Sequence, residues 1–158
     1  QFFVLQLVYS SFVYINPMDY AIKLANKCKR NGEVPVGCVI VDDQGNIVTY
    51  ASNSMIKNND PTAHAEILAI RKACKKKKTQ KLIDFSLYVT LEPCEMCEAA
   101  IYQVGIKKVF LVHMQKTLSC IRIKKKNYSN EQKGYQYFGG FKEKTCTKLV
   151  KDFFKDLR

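Results

Sequence analysis

The residues best suited to chemistry lie in two short segments, Asp-Pro-Thr-Ala-His-Ala-Glu at 60–66 and Leu-Glu-Pro-Cys-Glu-Met-Cys at 91–97. The Cys-x-x-Cys pair Cys94 and Cys97, with the distant His64, supplies three of the ligands that Zn²⁺ prefers. Three protein ligands leave the fourth tetrahedral position open, as in catalytic rather than structural zinc sites. The two segments therefore predict one zinc ion per chain at which a water can bind and react.

Each of the two segments needs the N-terminus of a helix to bring its ligands to the metal. Glu66 follows His64 by two residues, too close for both side chains to share one helix face. Both reach one point only if a helix aims its N-terminus at the metal, and Asp60-Pro61 predicts the start of such a helix. Pro93 likewise predicts the first turn of a helix carrying the two cysteines, at the positive end of its dipole, where a thiolate is favoured.

A proton carrier completes the predicted site. Two thiolates cancel the charge of the cation, so bound water is acidified less than in an all-histidine site and a base is needed. Glu66 fills this role as a general acid/base. Glu92 competes for it, but its place just before the Pro93-Cys94 turn suits a structural carboxylate.

Each motif taken alone has other interpretations. A lone Cys-x-x-Cys is also a redox pair or half of a structural zinc finger, and a lone His-x-Glu indicates nothing. The conjunction of both motifs, each with helix-start residues and with an acid beside them, favours the catalytic zinc site.

Much of the chain resembles the bacterial-type tRNA adenosine deaminases of the cytidine/deoxycytidylate deaminase superfamily. The resemblance is nearly unbroken from Met18 to Phe110 and weak between His113 and Gly139. It is carried by Glu33-Val34-Pro35-Val36-Gly37, Asn53, 60–67, 82–84, 87–97, Thr145-Cys146 and 152–154. It implies a single-domain α/β/α sandwich with a mixed five-stranded sheet covered by helices, a homodimer, and deamination of adenosine to inosine at the wobble position of a tRNA anticodon stem-loop.

The resemblance also assigns roles to residues. It implies that Glu66 is the catalytic acid, that Asn53 hydrogen-bonds the purine edge, and that Val36 and Pro93 line the base pocket. Asn53 as a simple turn residue is the alternative, because turns favour asparagine. The metal motif itself does not separate adenine from other bases, so a guanine, cytosine or deoxycytidylate deaminase is the alternative function. A non-catalytic partner subunit is a further alternative, and the presence of Glu66 argues against it.

Composition bounds the remaining expectations. A chain of 158 residues, 47% hydrophobic, is long enough for one buried domain, predicted at 18–158. The formal charge of +12 favours a polyanionic partner such as RNA, with compositional drift as the alternative. The lysines at 75–78 and 81 are interpreted mainly as a solvated helix end, whereas those at 124–126 are favoured as RNA contacts.

The N-terminal segment and the cysteines bear on location. Residues 1–17 are uncharged and apolar but short for a membrane span and without a basic leader, which favours an extension or a clipped fragment over a targeting remnant. Five further cysteines show no disulfide spacing, namely Cys28, Cys38, Cys74, Cys120 and Cys146. A reducing compartment, the cytoplasm, is expected, with an organelle as the alternative and no membrane partner.

The predicted elements alternate between helix and strand, which indicates an α/β layer. They are a helix from the Asn16-Pro17 cap to Asn31-Gly32, a hairpin at 39–48, a loop at 53–59, the first metal helix, strands at 86–91 and 107–112, the second metal helix at 94–104, and a helix at 144–157.

Overall fold

The computed structural model describes residues 15–112, 136–139 and 143–156. The lysines at 124–126, His113 and most of the N-terminal segment lie outside the described residues. The elements are α1 (Pro17–Lys29), β1 (Gly37–Val41), β2 (Ile47–Ser52), α2 (Met55–Asn58), α3 (Ala65–Lys77), β3 (Ser86–Val89), α4 (Glu95–Val104), β4 (Lys108–Leu111), β5 (Gln136–Phe138) and α5 (Glu143–Asp156).

The strands form a mixed sheet in the order β2-β1-β3-β4-β5. β1 pairs antiparallel with β2 and β3, whereas β4 pairs parallel with β3 and β5. Four strands make the body of the sheet, and the three-residue β5 adds to its edge. The α/β class with a mixed sheet and helices is therefore confirmed.

Helices cover both faces of this sheet. Alternate residues of β1 point to opposite sides: Cys38 and Ile40 join a core with residues of α3 and α4, whereas Val39 and Val41 join one with residues of α1 and α5. Every residue of β1 is buried, as a continuous apolar strand between two helical layers requires.

The first helix begins as the sequence predicts. The Asn16 side chain accepts hydrogen bonds from the backbone N–H groups of Met18 (2.9 Å) and Asp19 (3.3 Å), and Pro17 occupies the first turn. α1 then lies directly on β1, because a Cβ at Gly37 would overlap the carbonyl of Ala21. Only glycine permits this close approach.

Both metal helices begin later than predicted. Asp60-Pro61 does not start α3. The Asp60 carboxylate oxygen instead stabilises a local turn, because it accepts hydrogen bonds from the backbone N–H (2.8 Å) and the hydroxyl (2.7 Å) of Thr62. α3 begins at Ala65 with His64 as its N-cap. Pro93 is likewise outside α4, whose N-cap is Cys94.

Other boundaries shift by a few residues. β3 and β4 are shorter than predicted, and the predicted loop at 53–59 contains the short helix α2. Among the described helices, none combines the length and the apolar run that crossing a bilayer demands.

Candidate metal centre and active site

Three side chains from distant parts of the chain converge on one point. The ligand atoms of His64, Cys94 and Cys97 all lie within 4.8 Å of one another. His64 Nδ1 is 3.5 Å from each of the two sulfur atoms. Zinc–sulfur bonds of about 2.3 Å and zinc–nitrogen bonds of about 2.0–2.1 Å, at a tetrahedral angle, separate N and S by roughly 3.6 Å. The three residues therefore fit a tetrahedral zinc ion.

Two helix N-termini create this geometry. His64 caps α3 and Cys94 caps α4, each with an extended backbone, while Cys97 lies on the first turn of α4. The late helix starts thus matter chemically, because they put one ligand from each segment at a cap position rather than on a helix face. The positive ends of both helix dipoles favour a thiolate there.

The thiols and the imidazole form a coupled cluster. Hydrogen bonding from Cys97 is the main cause that lowers the pKa of Cys94 to about 4, and His64 adds to the effect. The same contact raises the pKa of Cys97, and Cys94 raises the pKa of His64. These shifts favour the thiolate form of Cys94, which is the form that binds a cation.

Glu66 is an acidic residue beside this cluster. It is the second residue of α3 and only 4% exposed. Burial is the main cause that raises the pKa of its carboxyl to about 7, and the negative charge of Cys94 contributes to the rise. A carboxyl that titrates near neutrality is suited to moving protons in both directions.

Backbone hydrogen bonds tie the predicted pocket residues to the metal ligands. The N–H of Asn53 donates to the carbonyl of Val36 (3.0 Å), and the next N–H, that of Ser54, donates to Ala63 (3.1 Å), directly before His64. Val36, Asn53 and His64 are therefore neighbours.

Hydrogen bonds also join the segment before the cysteines to Gly37, the residue that follows Val36. The N–H of Gly37 donates to the Thr90 hydroxyl (3.1 Å), and the N–H of Thr90 donates back to Gly37 O (3.1 Å). Pro93 lies buried between Thr90 and the Cys94 cap. Thr90 is a positioning residue that the sequence interpretation missed, because its partner is 53 residues away.

Glu33 is a second residue whose function in the site was missed. Its side chain is only 3% exposed. One carboxylate oxygen accepts from the Asn53 side-chain amide (3.3 Å) and the other from the backbone N–H of Lys57 (2.9 Å). Because the N-cap Ser54 makes no side-chain cap bond, Glu33 caps α2 in its place while orienting the amide of Asn53.

Comparison with known proteins identifies the family. The sequence model described as the cytidine and deoxycytidylate deaminase zinc-binding region matches residues 14–113. The chain belongs to this deaminase family. The predicted zinc cofactor is confirmed by the zinc-binding family together with the His64, Cys94 and Cys97 group.

Two curated relatives of this deaminase share a name, tRNA-specific adenosine deaminase. The protein from Haemophilus influenzae is 49% identical over 92 residues, which is 58% of this chain and 53% of the relative. The protein from Aquifex aeolicus is 38% identical over 145 residues, covering 89% of this chain and 93% of the relative.

Two solved structures of deaminases are similar to this deaminase. One comes from studies of A-to-I editing by tRNA:A34 deaminases at the wobble position of transfer RNA; it has a TM-score of 0.70 at 29% identity, covering 84% of this chain and 97% of that one. Another is the X-ray structure of guanine deaminase from Bacillus subtilis, with a TM-score of 0.58 at 44% identity, covering 61% of this chain and 64% of that one.

Proposed function

We propose that this protein is a tRNA-specific adenosine deaminase that converts adenosine to inosine at the wobble position of an anticodon stem-loop and releases ammonia. The observation that carries the deamination chemistry is the buried Glu66 beside the three-donor cluster, and the similarity to tRNA deaminases carries the choice of substrate. Support comes from the Aquifex aeolicus relative, which bears this name and covers 89% of this chain, and from the A34 deaminase structure.

The metal centre supplies electrophilic chemistry in this proposal. His64, Cys94 and Cys97 would hold the zinc ion, which would supply Lewis-acid activation of a water molecule at neutral pH. The lowered pKa of Cys94 favours its thiolate, whereas the proton of Cys97 and any proton on His64 must leave when a metal binds.

Glu66 moves the protons. Its carboxylate accepts a proton from the attacking water and delivers it to a ring nitrogen of adenine, while the water oxygen bonds to the carbon that carries the amino group. Glu66 then helps a second proton reach the departing amine, so that the C–N bond breaks and ammonia leaves. Water is consumed, inosine is formed, and no other reactant is needed.

Asn53 orients the base in the same proposal. The amide nitrogen of Asn53 donates a hydrogen bond to Glu33, which holds the amide in one orientation. Val36 and Pro93 line the pocket beside it in this proposal. A flipped base is recognised by hydrogen bonds to its edge, and a buried asparagine with a fixed amide provides one at little entropic cost.

The two candidate substrates can be separated directly. A free-base deaminase is the second candidate because of the similarity to guanine deaminase over 61% of the chain. Purified zinc-loaded protein should form inosine in a stem-loop with adenosine at the wobble position and leave guanine, cytidine and deoxycytidylate unchanged. Turnover of guanine without inosine in the stem-loop would contradict the proposal.

Replacing Asn53 by alanine should weaken deamination without emptying the metal site. A polar group left unpaired on the base edge costs about 1–3 kcal/mol, which lowers kcat/KM by roughly 5- to 160-fold. The matched control is Asn58→Ala, which truncates an exposed asparagine of α2. Zinc content and thermal unfolding of both variants should be measured alongside, because Asn53→Ala also frees one oxygen of Glu33. Unchanged single-turnover kinetics in Asn53→Ala would reduce Asn53 to a turn residue.

A homodimer belongs to the same proposal. The outer surface of α4 exposes Met96 (36%) and Tyr102 (63%), two side chains of the types enriched at protein interfaces. A second copy of the chain seated on α4 would cover them next to the metal centre.

The cytoplasm, with an organelle as the alternative, is the proposed location. The described cysteines are free thiols, and Cys28, Cys38 and Cys146 are buried, which agrees with a reducing compartment.

A further inference from the structure

A cleft of about 260 Å³ lies at the β2 edge of the sheet, where α1, α2 and α3 approach that strand. We call it the β2-edge cleft and define it by Lys27, Tyr50, Asn53, Lys57 and Lys72. Its inner wall contains Asn53, the residue proposed to contact the target base. A ligand in the cleft therefore lies next to the base pocket.

The charge of the cleft is positive. Lys27, Lys57 and Lys72 come from three different helices and are exposed. Within residues 15–112, 136–139 and 143–156, the structure gives none of these three lysines an acidic partner. Lys72 Nζ donates to the carbonyl of Tyr50 (3.2 Å), which fixes the ammonium at the rim without neutralising it.

The single acid of the cleft does not offset this charge toward a ligand. Glu33 is buried, and its two oxygens accept from the Asn53 amide and the Lys57 N–H. The other polar residues that line the cleft carry no charge, namely Asn31, Ser52, Asn53 and Ser54. A cleft with three cations at its rim and one internally engaged carboxylate is suited to an anion.

An aromatic ring stands beside these cations. Tyr50 is 46% exposed although it lies in a strand. Its ring meets that of Tyr20 edge to face, with centroids 4.9 Å apart and planes at 80°. A held, exposed ring beside lysines is the combination that binds single-stranded nucleic acid, with stacking on the ring and phosphates on the cations.

We propose that the β2-edge cleft binds the RNA nucleotide next to the target adenosine, with its phosphates on Lys27, Lys57 and Lys72 and its base or ribose against Tyr50. This inference rests on the proposed function. It adds a substrate subsite built from residues at 27, 50, 57 and 72, and it accounts for part of the excess charge without the lysine runs at 75–78 and 124–126.

The test compares two double variants with the same change in net charge. Lys27→Gln/Lys57→Gln removes two of the three positive charges of the cleft. Lys72 is kept because its ammonium also donates a hydrogen bond to the carbonyl of Tyr50 in β2. Lys57→Gln does not change the backbone N–H of residue 57, so the hydrogen bond from this N–H to Glu33 is retained. The control, Lys107→Gln/Lys108→Gln, neutralises two exposed lysines at the start of β4, three strands away from β2.

Affinity of the zinc-loaded proteins for the anticodon stem-loop is measured by fluorescence anisotropy across a salt series. Each phosphate contact to a single strand contributes about 0.7 to the slope of log K against log salt. The cleft variant should lose about 1.4 from the slope, with the largest affinity deficit at low salt. The control should keep the wild-type slope and the wild-type single-turnover rate at saturating RNA.

Each other outcome overturns the inference in a distinguishable way. A wild-type slope in the cleft variant, while the wild type still forms inosine in the stem-loop, removes the subsite and leaves the proposed function intact. Equal flattening in both variants means that net charge and not this cleft attracts RNA. If the stem-loop is not a substrate but deoxycytidylate is, with a KM that rises only in the cleft variant, the cleft holds the phosphate of a free nucleotide and both proposals fail.

Discussion

Glu66→Gln is expected to lower the rate of inosine formation by roughly 10²–10⁴-fold while zinc content and RNA affinity stay at wild-type values. Glutamine has almost the same shape and fills the same buried position in the first turn of α3. Its amide cannot accept and release a proton, so only proton transfer is removed. A loss confined to the chemical step lowers kcat and kcat/KM together.

The matched control is Glu92→Gln, because Glu92 is the carboxylate that the sequence offers as the competing acid/base. It is only half buried and precedes the turn at Pro93. Single-turnover kinetics on the stem-loop, with zinc determined on the same samples, should show near wild-type rates for this control. A fast Glu66→Gln variant with a slow Glu92→Gln variant would transfer the acid/base role to Glu92.

The metal ligands could be predicted because their chemistry depends on residue type and short spacing. Cysteines three apart on a helical turn, and a histidine two residues before an acid, restrict the geometry whatever the rest of the chain does. The exact helix starts could not be predicted from the same segments. The Asp60 side chain can serve either a helix cap or a local turn, and the sequence pattern allows both. In the structure its bonds to Thr62, two residues away, select the turn.

Contacts between residues that are far apart in the sequence could not be predicted from sequence patterns. Glu33 and Asn53 are 20 residues apart, and Gly37 and Thr90 are 53 apart. No local periodicity links them, since the sheet order and not the chain order makes them neighbours. The same holds for Lys27, Lys57 and Lys72, which are far apart in the sequence and become a cluster only where three helices meet at β2.

Cys97→Ala is expected to lose zinc and, with it, all measurable deamination. Two of the three donors, His64 and Cys94, would remain, but they leave two tetrahedral positions to water, so the ion should be removed by dialysis against a chelator. Because metal binding stabilises the folded state, the unfolding temperature should also fall and should no longer respond to added zinc. Atomic spectroscopy and thermal unfolding with and without zinc measure both effects.

Cys38→Ala is the control that separates ligand loss from cavity formation. Cys38 and Cys97 are both fully buried thiols, yet Cys38 is outside the described group of three donors that a metal ion fits. Burial raises the pKa of Cys38 well above its usual value, so it stays a neutral thiol that packs like a small apolar side chain. Cys38→Ala should therefore lose some stability from the cavity but retain one zinc per chain and a zinc-dependent unfolding temperature. Full zinc in dialysed Cys97→Ala, or zinc loss in Cys38→Ala alone, would mean that the ion is held by a different set of residues.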